Sequence, residues 1–199
     1  MADPLILASG SSIRAQLFQN AGITIASMPA RIDEDAIKSA LLAEDATPRD
    51  IADTLAEMKA RKISEKHPQS RVIGCDQVLE HRNDILSKPT TLEDARSQLL
   101  RLRGQTHRLL SAAVIYHEAK PIWRHVGMVR LTMHRFSDEF LENYLHRNWP
   151  AISDSVGGYK LEEEGVQLFN RVEGDYFTVL GLPLLEVISH LKLTGYLPS

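Results

Sequence analysis

Apolar residues come in short runs along this chain, and the spacing within each run predicts its element. Leu5-Ile6-Leu7-Ala8 reads as a buried strand. Ile13, Leu17 and Ala21 then recur on one helical face, and Gly22 ends that helix. Residues 23–28 form a second strand. Thr47 and Pro48 open a helix as cap and first turn, with Ile51, Leu55, Met58 and Ile63 as its buried stripe. Residues 72–79 are a strand and residues 81–85 a turn with Asn83-Asp84 at its tip. Thr91 to Arg103 is a helix with Thr91 and Asp94 as a capping box, burying Leu92, Ala95, Leu99 and Leu102. Residues 104–107 are a turn or loop. Leu109 to Tyr116 and Val126 to Met133 read as strands. The second alternates Val129, Leu131 and Met133 with polar neighbours, as a half-buried antiparallel strand does. Ser137 caps a helix buried through Phe140, Leu141, Tyr144 and Leu145. A polar loop runs from Gly157 to Glu164, a strand from Val166 to Val172, and Pro183 starts a last helix on Leu184, Ile188 and Leu191. Strands and helices alternate early, while antiparallel strands dominate later. That predicts an α/β fold: a mixed twisted sheet with flanking helices, two lobes around a central cleft.

Composition narrows this little. The 199 residues suit one domain spanning 1–199. Apolar residues are 43% and charged residues 25%, and the net charge of -3 gives no global pull toward nucleic acid. No basic stripe is interleaved with aromatics, so a nucleic-acid module is not expected. No stretch approaches the roughly 20 apolar residues that span a bilayer, and the first apolar run lacks a basic leader. The expected location is the cytoplasm, where a single cysteine also fits. No two of the eight histidines have helical zinc spacing, so any metal should be a hard cation held by carboxylates and phosphates.

The candidate chemistry starts at Asp76. It interrupts a run that otherwise reads as a buried strand, and an ionised carboxylate there is costly unless paired, hydrogen-bonded or bound to a metal. A polar cleft is the expected cause. Arg14, Lys59 and Lys88 are the candidate cations around it, a composition suited to a polyphosphate and its metal. Ser9-Gly10-Ser11-Ser12 lies between a strand and a helix start, where unpaired N–H groups can bind an anion or be capped by serine. Lys59 sits at the edge of a helix stripe, to snorkel into water or to reach the cleft. The acidic cluster at residues 31–35 reads on composition as a solvated loop. Cys75 should point away from Asp76 across the strand, and Tyr159, Trp123 and Trp149 read as core residues.

Seven short segments in order resemble the Maf family of nucleotide pyrophosphatases, from Leu5 to about Leu193. They are residues 5–11 with Arg14, Ile32-Asp33-Glu34, Lys59-Ala60, Val72 to Asp76, Lys88-Pro89, Gly104 to His107, and Glu173 to Pro183. The resemblance implies an ITPase-like fold and hydrolysis of a nucleoside triphosphate between its α and β phosphates, with Asp76 as proton acceptor or metal ligand. It implies a divalent metal, Mg²⁺ or Mn²⁺, with Glu34 and Asp76 as ligands. Ser9, Ser11, Arg14, Lys59, Lys88, Lys160 and Glu162 would bind the substrate, with Arg14, Lys59, Lys88 and the N–H groups near Ser11 neutralising the leaving pyrophosphate. A homodimer is also implied.

Gly74-Cys75-Asp76-Gln77 and Tyr159-Lys160-Leu161-Glu162 are similar to the 7-methyl-GTP branch; the branch acting on dTTP and UTP usually has Gly-Ala-Asp-Thr and a glutamine in the later segment. A glutamate accepts two hydrogen bonds from a guanine edge, which makes Glu162 a purine reader. Ser11-Ser12-Ile13-Arg14-Ala15 departs from the family's usual Ser-Pro-x-Arg-Arg, and Met58 stands where a glutamate is common. Two alternatives follow: a dTTP/UTP pyrophosphatase, or a catalytically weak nucleotide-binding regulator of cell division.

Overall fold

A computed structural model describes residues 4–198. Its centre is a seven-stranded mixed sheet. The first half supplies β1 (Leu5–Leu7), β2 (Ala26–Ser27) and β3 (Arg71–His81), with β1 parallel to both β2 and β3. The second half adds β4 (Asp84–Leu86), β5 (Thr106–His117), β6 (Lys120–Met133) and β7 (Phe169–Glu173), all antiparallel to their neighbours. The order is β2-β1-β3-β5-β6-β7, with β4 paired to β3 beside that path. The expected α/β fold with a mixed sheet is the one observed.

Among the described residues seven α-helices flank the sheet: α1 (Ser12–Asn20), α2 (Glu34–Ala43), α3 (Pro48–Ser64), α4 (Leu92–Leu102), α5 (Asp138–Asn148), α6 (Tyr176–Val179) and α7 (Leu184–Leu193). Serine or threonine caps open α1, α3, α4 and α5, each accepting a backbone N–H three residues on. Alternation along β3 divides the core. Val72 and Val78 face α3, together with Ile51 and Leu55. Ile73 and Cys75 face α1 and α7, among Leu17, Phe18, Val187 and Leu191. Beyond Leu79 the other half of the sheet packs on α4 and α5 through Leu99, Leu109, Leu131, Leu141 and Tyr144.

Gly74 fixes the distance between α3 and β3. A Cβ at this position would stand 2.0 Å from the Ala56 carbonyl oxygen and 2.6 Å from the Ala60 nitrogen. Only a missing side chain lets the two backbones meet so closely. Ala56 and Ala60 complete the close approach from the helix side, and Lys59 is carried in beside them.

Several local expectations need correction. The acidic cluster is a loop only through Asp33, which accepts the Ala36 N–H at 3.0 Å and caps α2, so Glu34 and Asp35 are helical. α2 buries no residue fully and rests on its neighbours through half-buried Ile37 and Leu41. Met58 is 38% exposed, because the α3 stripe runs through Ala52, Ala56 and Ala60 instead. Leu92 is also exposed, as are Ala21 and Val166, and α1 buries Phe18 beside Leu17. The second strand is only Ala26–Ser27, and the last begins at Phe169 after a 3₁₀ turn. β5 and β6 run further than expected into their hairpin turn, where Glu118 and Ala119 both take positive φ, and at its other end β5 takes in Thr106 and His107, expected in a turn or loop. Arg82 and Asn83 do the same between β3 and β4, which makes Asp84 a strand residue.

Candidate active site

A cleft of about 1250 Å³ opens along the α3 face of the sheet. The Ser9–Arg14 loop, the first turn of α2, Lys59, Asp76, Lys88 and the Asp154–Glu163 segment all line it. Every residue expected at the site therefore reaches one cavity: Ser9, Ser11, Arg14, Glu34, Lys59, Asp76, Lys88, Lys160 and Glu162.

The floor of the cleft is an ion triad. Lys59 Nζ lies 2.6 Å from Asp76 Oδ1 and 2.8 Å from Glu34 Oε1. Asp76 is 5% exposed and Lys59 7%, so Lys59 turns into the cleft and does not snorkel to water. Burial opposes the charge on Glu34, yet the Lys59 hydrogen bond and the charges of Lys59, Lys38 and Lys88 outweigh it and hold that carboxyl below its usual range. One ammonium thus serves two carboxylates, and the triad is net negative. The cleft as a whole is lined by seven acidic side chains and five basic ones.

Arg14 is held rigidly. Its Nε donates to the Gly181 carbonyl at 2.7 Å, and its Nη1 donates to the Cys75 carbonyl at 3.2 Å and to Ser9 Oγ at 3.3 Å. Ser9 Oγ also accepts the Ser11 N–H at 3.2 Å, and Ser11 Oγ caps the Arg14 N–H at 3.4 Å. The two serines therefore shape the loop, and capping takes part of the donor set that the sequence offered to an anion. Lys88 is exposed at the rim, kept extended by Pro89.

At the far end, Tyr159 Oη pairs with His107 Nε2 at 2.7 Å and Ser155 Oγ donates to the Tyr159 carbonyl at 2.6 Å. Those bonds fix the segment carrying Lys160 and Glu162. Lys160 lies 3.1 Å from Asp154. Burial, with the nearby charges of Glu163 and Asp154, raises the Glu162 carboxyl above its usual range despite Lys160. Gln77 Nε2 donates to the Thr178 and Val179 carbonyls at 3.1 and 2.9 Å, tying β3 to α6. Cys75 points away from Asp76, as expected, and burial pushes its thiol up to about 11.

Among the described residues no three histidine, cysteine, aspartate or glutamate side chains form a metal cage. Glu34 and Asp76 nevertheless fit a hard divalent cation. Asp76 Oδ2 is buried with no protein partner, and one or two carboxylates completed by phosphate and water suit Mg²⁺. One lining cation, Lys38, is not among the residues expected from sequence. Its spacing of four from Glu34 would have marked it once residues 34–43 were read as a helix.

Residues 4–194 match the family described as Maf-like protein. The nucleoside triphosphate pyrophosphatase of Roseobacter denitrificans is 63% identical over 198 residues, covering 100% of both chains. The protein of that name from Ruegeria pomeroyi is 58% identical over 199 residues, again covering 100% of both. The 7-methyl-GTP pyrophosphatase of Mesorhizobium japonicum is 43% identical over 195 residues, 98% of each chain, so the narrower name belongs to a more distant relative.

Proposed function

This chain belongs to the Maf-like proteins, and on that premise we propose that it hydrolyses a nucleoside triphosphate between the α and β phosphates, releasing the monophosphate and pyrophosphate. The observation that carries the reading is Asp76. One carboxylate oxygen is fixed by Lys59, and the other is buried without a protein partner in a cleft lined with cations. Water attacks the α-phosphorus, its proton passes to Asp76, and the bond to the bridging oxygen breaks with its electron pair leaving on pyrophosphate. Lys59 holds Asp76 and Glu34 side by side, bonding one carboxylate oxygen of each. Arg14 and Lys88 offset the charge of the phosphates. A divalent cation held by Glu34, and by Asp76 in the alternative where Asp76 is a ligand and not the base, would when bound polarise the phosphate and acidify water. The acidic balance of the cleft supports that requirement, since a bare triphosphate would meet more negative than positive charge.

The substrate we propose is 7-methyl-GTP. Methylation at N7 makes the purine ring cationic, and Asp154, Glu162 and Glu163 give the base end an acidic lining. Glu162 would accept the guanine N–H groups. Pyrophosphate release from a nucleotide panel, with Mg²⁺ or Mn²⁺, tests both levels. The expected result is turnover of 7-methyl-GTP by the wild type and a loss of about 10²- to 10⁴-fold in Asp76→Asn. Turnover confined to dTTP and UTP would replace the substrate. Full activity of Asp76→Asn would remove the mechanism.

A further inference from the structure

Lys38 lines the cleft and has no role in the reaction described above. It follows Glu34 by one turn of α2, so the two side chains share a helix face. An ordinary ion pair between them would be the plain explanation. Glu34, however, is taken by Lys59 at 2.8 Å, and among the described residues no carboxylate lies within 4.0 Å of the Lys38 ammonium. Its neighbours in the cleft are committed elsewhere: Lys59 to two acids, Lys160 to Asp154, and Arg14 to three protein acceptors. Lys38 and Lys88 are the lining cations that keep their charge uncompensated by a contact.

Position in the cleft decides which part of a substrate Lys38 meets. Lys38 and Lys88 both act on the Glu34 carboxylate, whereas Glu162 is surrounded by Glu163, Lys160 and Asp154. The two ends of the cleft are electrostatically distinct. With the base at the Glu162 end, the phosphates extend toward α2. Resting on the pyrophosphatase reading, we propose that Lys38 is a substrate-contacting residue that binds the terminal phosphates, the portion that departs as pyrophosphate.

The test is calorimetric titration of inorganic pyrophosphate, with Mg²⁺ present, into the wild type, Lys38→Gln and Lys38→Arg, beside steady-state kinetics. Lys38→Gln should raise the Kd for pyrophosphate and the KM for the triphosphate about tenfold, as expected for one charge-assisted hydrogen bond. Its salt dependence should become shallower, and Lys38→Arg should restore most of the affinity. A Kd for pyrophosphate equal to that of the wild type overturns the proposal. Should the wild type release no pyrophosphate from any nucleotide, the hydrolytic reading falls, while the titration still decides for or against Lys38.

Discussion

A lysine as buried as Lys59 keeps its charge only where acids meet it, and here two do. The side chain was legible in part. Its place beside a helix stripe left it free to face water or cleft, and only the contact with Asp76 decides. Asp76 itself is legible from alternation alone, because a carboxylate in an apolar strand needs a partner. In the proposed reading, Glu162 is the residue that meets the base. Its carboxyl lies above the usual glutamate range, so the protonated form gains weight at a higher pH than for a free glutamate. The charged form accepts two donors and the protonated form does not. The KM for 7-methyl-GTP should therefore rise as pH falls through a value above 4.5. In Glu162→Gln that acid limb should disappear, with a higher KM throughout, as steady-state kinetics from pH 8 down to about pH 5 would record. An acid limb retained in the variant would free Glu162 from this role.

α3 and β3 form one working unit because Gly74 lets their backbones touch. Gly74→Ala forces a methyl group against backbone atoms that cannot rotate away. The expected cost is about 3 kcal/mol, read as a lower urea midpoint. Pyrophosphate release should fall with it, since the helix that carries Lys59 must lift from the strand that carries Asp76. The glycine is visible in the sequence, but its reason is not, for nothing local reports that a helix 14 to 18 residues earlier passes over it. α2 escaped for another reason. Ile37 and Leu41 do recur at helical spacing, but the acidic composition of residues 31–35 masks the helix start. The hairpin turn at 118–119 is hidden because left-handed backbone usually advertises itself by glycine, and this turn has none, whereas Asn83-Asp84 marks the turn at 82–83.

Across the whole molecule, the order of short motifs was more legible than any one of them. The motifs lie on loops, on strands and inside α3, and the sheet order brings distant ones together: Arg14 near the start bonds the Gly181 carbonyl 167 residues later. Such meetings are invisible to periodicity, which reports only the nearest turn or pleat. Among the described residues no helix is long and apolar enough to cross a membrane. The single cysteine offers a view of the assembled structure in motion. Its thiol lies under the very strand that presents Asp76, sealed between α1 and α7 and reluctant to ionise. Alkylating reagents need an accessible thiolate, so the native enzyme should resist iodoacetamide until the sheet parts from its helices. Labelling followed by mass spectrometry then becomes a clock for global opening, set by one atom. Pyrophosphate with Mg²⁺ should slow that clock by holding the native state, so the same inert sulfur can report occupancy of a cleft it never touches.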